Sequence, residues 1–334
     1  METEVEVLFT QQIIEYGADL FGMNSQSLKK LGEYESYIFE GERQMRQVIL
    51  RFTHSSHRTL DQLEAECDFV QYLKENGIHV YKQFKSRNYK FAEGLETKNG
   101  SQFYVTCYEK LSGRRAETAD MENHRFLEQW GNTIGKMHSL AIGYEPVASI
   151  PKRKSWREEE LLNLQSNGDK IPIHILEYAD SVVSELDAFP VTKNNYGLIH
   201  SDLHTGNFLI ENNHLNVFDF DDCTYHWFAS DIAIPLYYSL VRANLSSKEA
   251  TRRFTEFFLT HFLEGYRKAK DLEQTEIEAI PLFLRLRDIT LLSFMYKKFD
   301  FDQLSINEKS LFDQVFERVN TQSTITPLDF LGWK

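Results

Sequence analysis

A chain of 334 residues, 42% hydrophobic and 26% charged, has the composition of a folded protein large enough for one broad domain or two unequal ones, which excludes a peptide scaffold or a disordered acidic tail. Its 37 Lys+Arg against 50 Asp+Glu leave a formal charge of -13, which speaks against nucleic acid or an anionic membrane surface as partner. Three scattered cysteines (Cys67, Cys107, Cys223) without CxxC spacing, the acidic start METEVEVLFT and the lack of any apolar run of about 18 residues predict a cytoplasmic protein with no disulfide framework, leader or membrane span.

The first predicted element is a short helix around 11–21. Residues 34–53, YESYIFEGERQMRQVILRFT, read as two strands joined by a turn near Gly41. Across 60–73, Leu60, Leu63, Cys67, Val70 and Leu73 share one helical face, and Asn76–Gly77 supplies the stop. Two further strand-like segments follow, near 80–92 and at 102–109 (QFYVTCYE), with EGLETKNG as the turn region between them. The character changes at LSG, 111–113, and helical stripes then dominate: Phe126, Trp130, Ile134, Met137 and Ala141; a helix from Ile175 toward Leu186; and Phe254, Phe258, Phe262 and Tyr266 behind the capping-box spacing SSKE at 246–249. Helices at about 281–299 and 307–319 complete an α+β chain, divided into a sheet-bearing segment 1–110 and a helical segment 111–334.

Polar residues concentrate in 196–222, YGLIHSDLHTGNFLIENNHLNVFDFDD, which reads as a strand, a short glycine-containing loop and a small hairpin. This gathers His200, Asp202, His204, Asn207, Asp219, Asp221 and Asp222 at strand ends. Asp202 and Asn207 are five residues apart, and the hairpin can return Asp219 toward the Asn207 amide. A hard cation such as Mg2+ takes a few protein oxygens plus substrate phosphate oxygens, and a phosphoryl acceptor needs a carboxylate in line with the γ-phosphate. Asp202 fits the base and Asn207 with Asp219 the metal ligands. A transition-metal cluster of His200, Asp202 and His204 lacks a clear fourth ligand.

With HSDLHTGNFLI followed by VFDFDD, the chain resembles the aminoglycoside phosphotransferase and choline kinase superfamily, relatives of protein kinases that phosphorylate small molecules. The resemblance runs over roughly residues 27–300 and takes in YIFEG, VILRF, the helix with Glu66, CYEKLSG and IGKMHSL. It implies a bilobal protein-kinase-like fold with an antiparallel N-terminal sheet lobe, a larger helical C-terminal lobe and ATP between them. It also implies Asp202 as catalytic base and Asn207 and Asp219 as Mg2+ ligands. His200 joins Asp202 in the catalytic loop, either buried in its support or acting directly. On the nucleotide side, Arg51 in VILRF stands where kinases place lysine, with Glu66 as expected partner and Glu64 as rival; Tyr108, Glu109 and Leu111 form the expected adenine hinge. LGEYESY lacks the glycine series of protein kinases and any Walker motif.

The expected activity is ATP- and Mg2+-dependent phosphoryl transfer to a hydroxyl of an unidentified small molecule, with a homodimer left open. A catalytically silent nucleotide-binding or regulatory protein is the alternative. Protein substrates are disfavoured because no activation segment separates Asp219 from Asp231. For the acceptor, Tyr225, His226, Trp227, Phe228, Arg285, Arg287 and Asp288 are candidates, each with a competing role in core or surface; Asp231 is expected to cap a helix or brace the loop.

Overall fold

The structure, a computed structural model, describes residues 3–33, 35–166 and 171–333; Tyr34, in the predicted first strand, lies outside them. In chain order the helices are α1 (Thr3–Glu6), α2 (Gln11–Leu20), α3 (Leu60–Glu75), α4 (His124–Ala141), α5 (Ile173–Asp187), α6 (Phe228–Ala243), α7 (Lys248–Arg267), α8 (Gln274–Glu278), α9 (Ile280–Lys298) and α10 (Ile306–Asn320). The strands are β1 (Lys29–Glu33), β2 (Ser36–Arg43), β3 (Arg46–His54), β4 (Gln83–Phe84), β5 (Ala92–Glu96), β6 (Gln102–Glu109), β7 (Tyr196–Ile199), β8 (Phe208–Glu211), β9 (His214–Val217) and β10 (Thr224–Trp227). The residues form two compact units: one from Met1–Arg114, Tyr144–Arg153 and Leu209–Asp221, the other from Arg115–Gly143, Lys154–Phe208 and Asp222–Lys334.

The first unit is built on an antiparallel sheet, β1-β2-β3-β6, with β4 and β5 paired to the free edge of β6. Strand alternation sends Val48, Leu50 and Phe52 of β3 and Phe103, Val105 and Cys107 of β6 to one face, where they pack with α2 residues and with Phe9, whose ring stacks on Tyr37 at 3.7 Å. The same alternation sends Arg51 to the opposite face, directly across from Thr106. There α3 begins with a capping box between Thr59 and Gln62 and ends at Asn76, followed by Gly77 at φ +85. Segment 209–221 joins this unit through hydrogen bonds from Ile210 N–H to the Arg114 carbonyl (2.8 Å) and from Val217 N–H to the His79 carbonyl (2.8 Å).

Several boundaries differ from the sequence reading for local reasons. The first hairpin turns at Gln44–Met45, both at positive φ (50 and 62), and Gly41 lies inside β2. Strand β5 occupies the first part of EGLETKNG because the edge of β6 is open to it, leaving Thr97–Gly100 as the turn. The charged edge strand β1 carries no apolar alternation to announce it. Ser247, not Ser246, caps α7 by accepting the Ala250 N–H at 3.2 Å, and Glu249 pairs with Arg252 and Arg253 instead of closing a box.

In the second unit, α4 and α7 approach closely. A Cβ added to Gly131 would lie 1.8 Å from the Phe262 carbonyl oxygen, and one added to Gly265 would lie 1.8 Å from that of Glu128, so each position requires a hydrogen. Helix α6, with Pro235 inside, is buried on nearly every side. Strand β10 pairs antiparallel with β7, and it places His226 among Trp156, Trp227 and Phe283. Trp227 and Phe228 are core residues (2% and 0% exposed). Among the described residues, no helix is long and apolar enough to cross a membrane.

Gly265→Ala will destabilise the protein by roughly 1–3 kcal/mol in denaturant unfolding, because the new methyl meets backbone and not a movable side chain. Burial pushes the His226 imidazole down to about 3. The unfolded chain takes up that proton near pH 6.5 and the folded one does not, so stability falls as pH drops through this window by up to about 1.4 kcal/mol per unit. His226→Phe will flatten the midpoint-against-pH curve between those values, as thermal unfolding at several pH values will read.

Candidate active site

In the second unit, β7 ends at Ile199 and the loop 200–207 follows. Asp231, in the first turn of α6 and wholly buried, receives the loop's main chain: Oδ2 accepts the His200 N–H at 3.0 Å and Oδ1 the Ser201 N–H at 2.7 Å. Ser201 sits at φ +69, a left-handed conformation that a side chain disfavours by about 1–2 kcal/mol, and the bond to Asp231 fixes it there. His138 of α4 lies 3.2 Å from Asp231 Oδ2 through Nε2. A carboxylate only accepts, so Nε2 bears the proton and Nδ1 accepts from the Tyr266 hydroxyl of α7 at 2.9 Å. Burial holds the His138 imidazole below its usual value, against the opposing effect of the hydrogen bond it donates to Asp231, in keeping with the neutral form. Asp231 thus braces the loop.

Asp202 stands at the loop's centre with three side-chain donors. Arg287 of α9 donates from Nη2 to Oδ1 at 2.9 Å. His204 approaches Oδ2 at 3.3 Å through Nε2, and its Nδ1 accepts the Gly206 N–H at 2.9 Å, which sets the tautomer. Asn207 donates from Nδ2 to the Asp202 carbonyl at 2.8 Å and to Oδ2 at 3.2 Å. Burial alone would raise the Asp202 carboxyl; the His204 hydrogen bond and the Arg287 charge outweigh it and hold the group below the usual aspartate value. His200 is fully buried, and its Nδ1 accepts the Asp202 N–H at 3.3 Å.

In the first unit, Arg51 is 6% exposed and donates from Nη2 to Glu66 Oε2 at 2.7 Å, so Glu66 and not Glu64 is its partner. Tyr81 donates to the other Glu66 oxygen at 3.3 Å. Asp221 lies beyond, 3.7 Å from Arg51 and 2.9 Å from Arg58, with its carbonyl accepting from Arg153 at 2.5 Å. Burial would raise Asp221 as well, but Arg58, Arg51 and Arg153 together keep it low. Asp219, two residues earlier, is exposed and at φ +68. Tyr108 lies on the Arg51 face of β6, its ring 4.4 Å from that of Tyr81, and Glu109 N–H donates to the Lys82 carbonyl at 2.8 Å. Asp202, His200 and Asn207 therefore fall in the second unit, and Arg51, Glu66, Tyr108, Glu109, Leu111 and Asp219 in the first.

The donor sets suit a nucleotide and a hard cation. Both Nδ2 bonds of Asn207 go to Asp202, which leaves its Oδ1 without a donor among the described residues, an oxygen of the kind Mg2+ takes. The Leu111 main-chain N–H and C=O have no partner among the described residues either, as a base-reading hinge requires. On the Arg51 face of the sheet, Thr106 Oγ1 is buried and has no partner among the described residues.

Other candidates separate. Arg285 forms a two-bond pair with Glu185 (2.6 and 3.2 Å), and Asp288 is buried against Arg318 and Tyr237. Only Arg287 of that trio reaches Asp202. The sequence reading assigned no role to His138, Arg58 or Arg153 and placed Tyr266 on a packing stripe. His138 sits in IGKMHSL one step off the apolar stripe, and that position was the available signal.

The model of the phosphotransferase enzyme family matches residues 30–273. The amicoumacin kinase of Bacillus subtilis (strain 168) is 32% identical over 325 residues, 97% of this chain and 96% of that protein. A solved structure of amicoumacin kinase hAmiN in complex with AMP-PNP, Ca2+ and Ami superposes with a TM-score of 0.93 at 32% identity, covering 100% of both chains. A microcompartment-associated aminopropanol kinase shares the fold at a TM-score of 0.75 and 17% identity, covering 94% of this chain and 98% of that one. The chain belongs to the phosphotransferase enzyme family and is a small-molecule kinase that uses ATP and Mg2+.

Proposed function

We propose that this kinase phosphorylates a hydroxyl group of amicoumacin, with Asp202 as the base. The observation that carries the chemistry is the Asp202 carboxylate, kept ionised by His204 and Arg287 in a loop whose backbone Asp231 fixes. What supports the acceptor is the likeness, over nearly the whole chain at 32% identity, to two proteins named as amicoumacin kinases.

Bound ATP with Mg2+ supplies the phosphorus electrophile and neutralises charge on the phosphates. Asp202 orients the acceptor hydroxyl and takes its proton, and His200 holds the Asp202 backbone in register. Asn207 and Asp219 are the metal-holding residues. Arg51, steadied by Glu66, is the cation for the α/β-phosphates; Tyr108, Glu109 and Leu111 form the adenine hinge, with the open Leu111 main chain reading the base. Nucleotide recognition is assigned to segment 1–110 together with Leu111 and Asp219, and catalysis and acceptor recognition to the rest of segment 111–334. Positioning and electrostatics, not covalent chemistry, supply the acceleration.

Purified protein incubated with ATP, Mg2+ and amicoumacin will yield a product heavier by one phosphoryl group in mass spectrometry. If a broad panel of hydroxyl acceptors is phosphorylated and amicoumacin is not, the acceptor assignment is wrong. Asp202→Asn will lower kcat by about 10²–10⁴-fold with ATP binding retained, the range typical of a lost general base; unchanged turnover would remove Asp202 from that role. Asn207→Ala will raise the Mg2+ concentration giving half-maximal rate, read by titrating Mg2+ at fixed ATP.

A further inference from the structure

Helix α9 crosses α6 so that two consecutive residues of one meet two consecutive residues of the other. Arg287 donates to the Tyr238 hydroxyl, and the Tyr237 hydroxyl donates to Asp288 Oδ1 at 2.7 Å. The second pair is closed by Arg318 of α10, whose bonds to the Asp288 carboxylate measure 2.6 to 3.1 Å. The first is closed by Asp202. Arg287 also lies over the Tyr238 ring, 5.0 Å from its centroid. A side chain that would otherwise carry about 2 kcal/mol of rotamer entropy is held from its ring face, its tip and its neighbour in sequence.

Asp202 has two carboxylate oxygens, each with two lone-pair directions. Both directions on Oδ2 are taken, by His204 Nε2–H and Asn207 Nδ2–H. Among the described residues, Oδ1 receives a side-chain donor only from Arg287. The place left for an incoming hydroxyl proton is therefore on Oδ1, the oxygen whose position Arg287 determines. On Arg287 itself, Nη2 serves Asp202 and Tyr238, Nε is buried without a partner, and Nη1 meets no acceptor among the described residues. A guanidinium with so few of its donors satisfied is poorly explained as a stabilising pair, since burying it leaves its Nε–H unpaired.

We propose that Arg287 is a positioning residue for the transfer step, fixing Asp202 Oδ1 as the oxygen that receives the acceptor's proton. The inference rests on Asp202 being the base. As the acceptor oxygen bonds to the γ-phosphorus, its O–H proton passes to Oδ1 and the bond from that phosphorus to the bridging oxygen breaks, releasing ADP. Arg287 gains and loses no proton.

The test uses the full-length protein in two assays: phosphoryl transfer to amicoumacin, and the slow hydrolysis of Mg2+-ATP in which water takes the acceptor's place. If wild-type protein leaves amicoumacin unmodified, the acceptor assignment fails and Arg287 is judged by hydrolysis alone. Arg287→Met will lower kcat in the working assay by about 10²-fold, the cost expected of a misplaced catalytic group, with the KM for ATP within about twofold of wild type. Arg287→Lys will recover part of the loss, and guanidinium ion will restore part of the rate of Arg287→Ala. Because Arg287 acts only through Asp202, the double variant Arg287→Met/Asp202→Asn will be no slower than Asp202→Asn alone. Multiplicative losses in the double variant overturn the proposal. So does turnover of Arg287→Met within about threefold of wild type. If Arg287→Met fails to fold, Arg287→Lys and the guanidinium experiment decide: absence of any rescue overturns it.

Discussion

A single buried carboxylate, Asp231, sets the catalytic loop. It accepts the main-chain N–H groups of His200 and Ser201 and the imidazole N–H of His138, and no water need reach it. Hydrogen bonds to a charged group contribute about 1.5–3 kcal/mol each. Two of them exceed the roughly 1–2 kcal/mol that a non-glycine residue costs in the left-handed region. The strained Ser201 conformation is therefore stable, and it turns the chain so that Asp202 and Asn207 follow in their observed geometry. The support continues outward: Asp231 fixes the His138 tautomer, so that Nδ1 accepts from Tyr266, and Tyr266 and His138 face each other because Gly131 and Gly265 let α4 and α7 approach to backbone contact.

Within DFDD, two aspartates two residues apart have opposite environments. Asp219 is exposed, at positive φ, and suits a cation. Asp221 is enclosed by Arg58, Arg51 and the Arg153 guanidinium, which donates to its main-chain carbonyl, and serves the first unit as the acidic centre of a basic cluster. Arg51 is shared between Glu66 and Asp221, which directs its guanidinium without leaving it mobile. The charge of -13 is thus a poor guide to this part of the protein, where arginines gather.

The sheet-then-helix order, the α3 and α4 stripes and the 200–207 loop were legible in the sequence because each has a local signal: period two, period near 3.6, or a dense run of polar residues between apolar strands. Glu66 against Glu64 was not, since both lie on the same helix two residues apart and only the position of Arg51 across the sheet chooses. Arg287 was named only as an acceptor candidate alongside Arg285, because nothing local ties it to Asp202, 85 residues away, while Arg285 faces Glu185. Helix α6 was announced only by Asp231 as a possible cap, because the helix is apolar nearly all round and Pro235 interrupts its local signal. Strand β1 owes its existence to the pairing edge of β2 and not to its own residues.

The central claim is that Asp231 holds the catalytic loop through the His200 and Ser201 amides, and hydrogen exchange at those two amides reads it directly. In the native protein they exchange as slowly as the β7 amides beside them. In Asp231→Asn, with α4 and α7 still protected, they exchange about 10- to 100-fold faster, as the loss of bonds to a charged acceptor requires. Equal protection in the two proteins would contradict the account, because the loop would then be held by something other than Asp231.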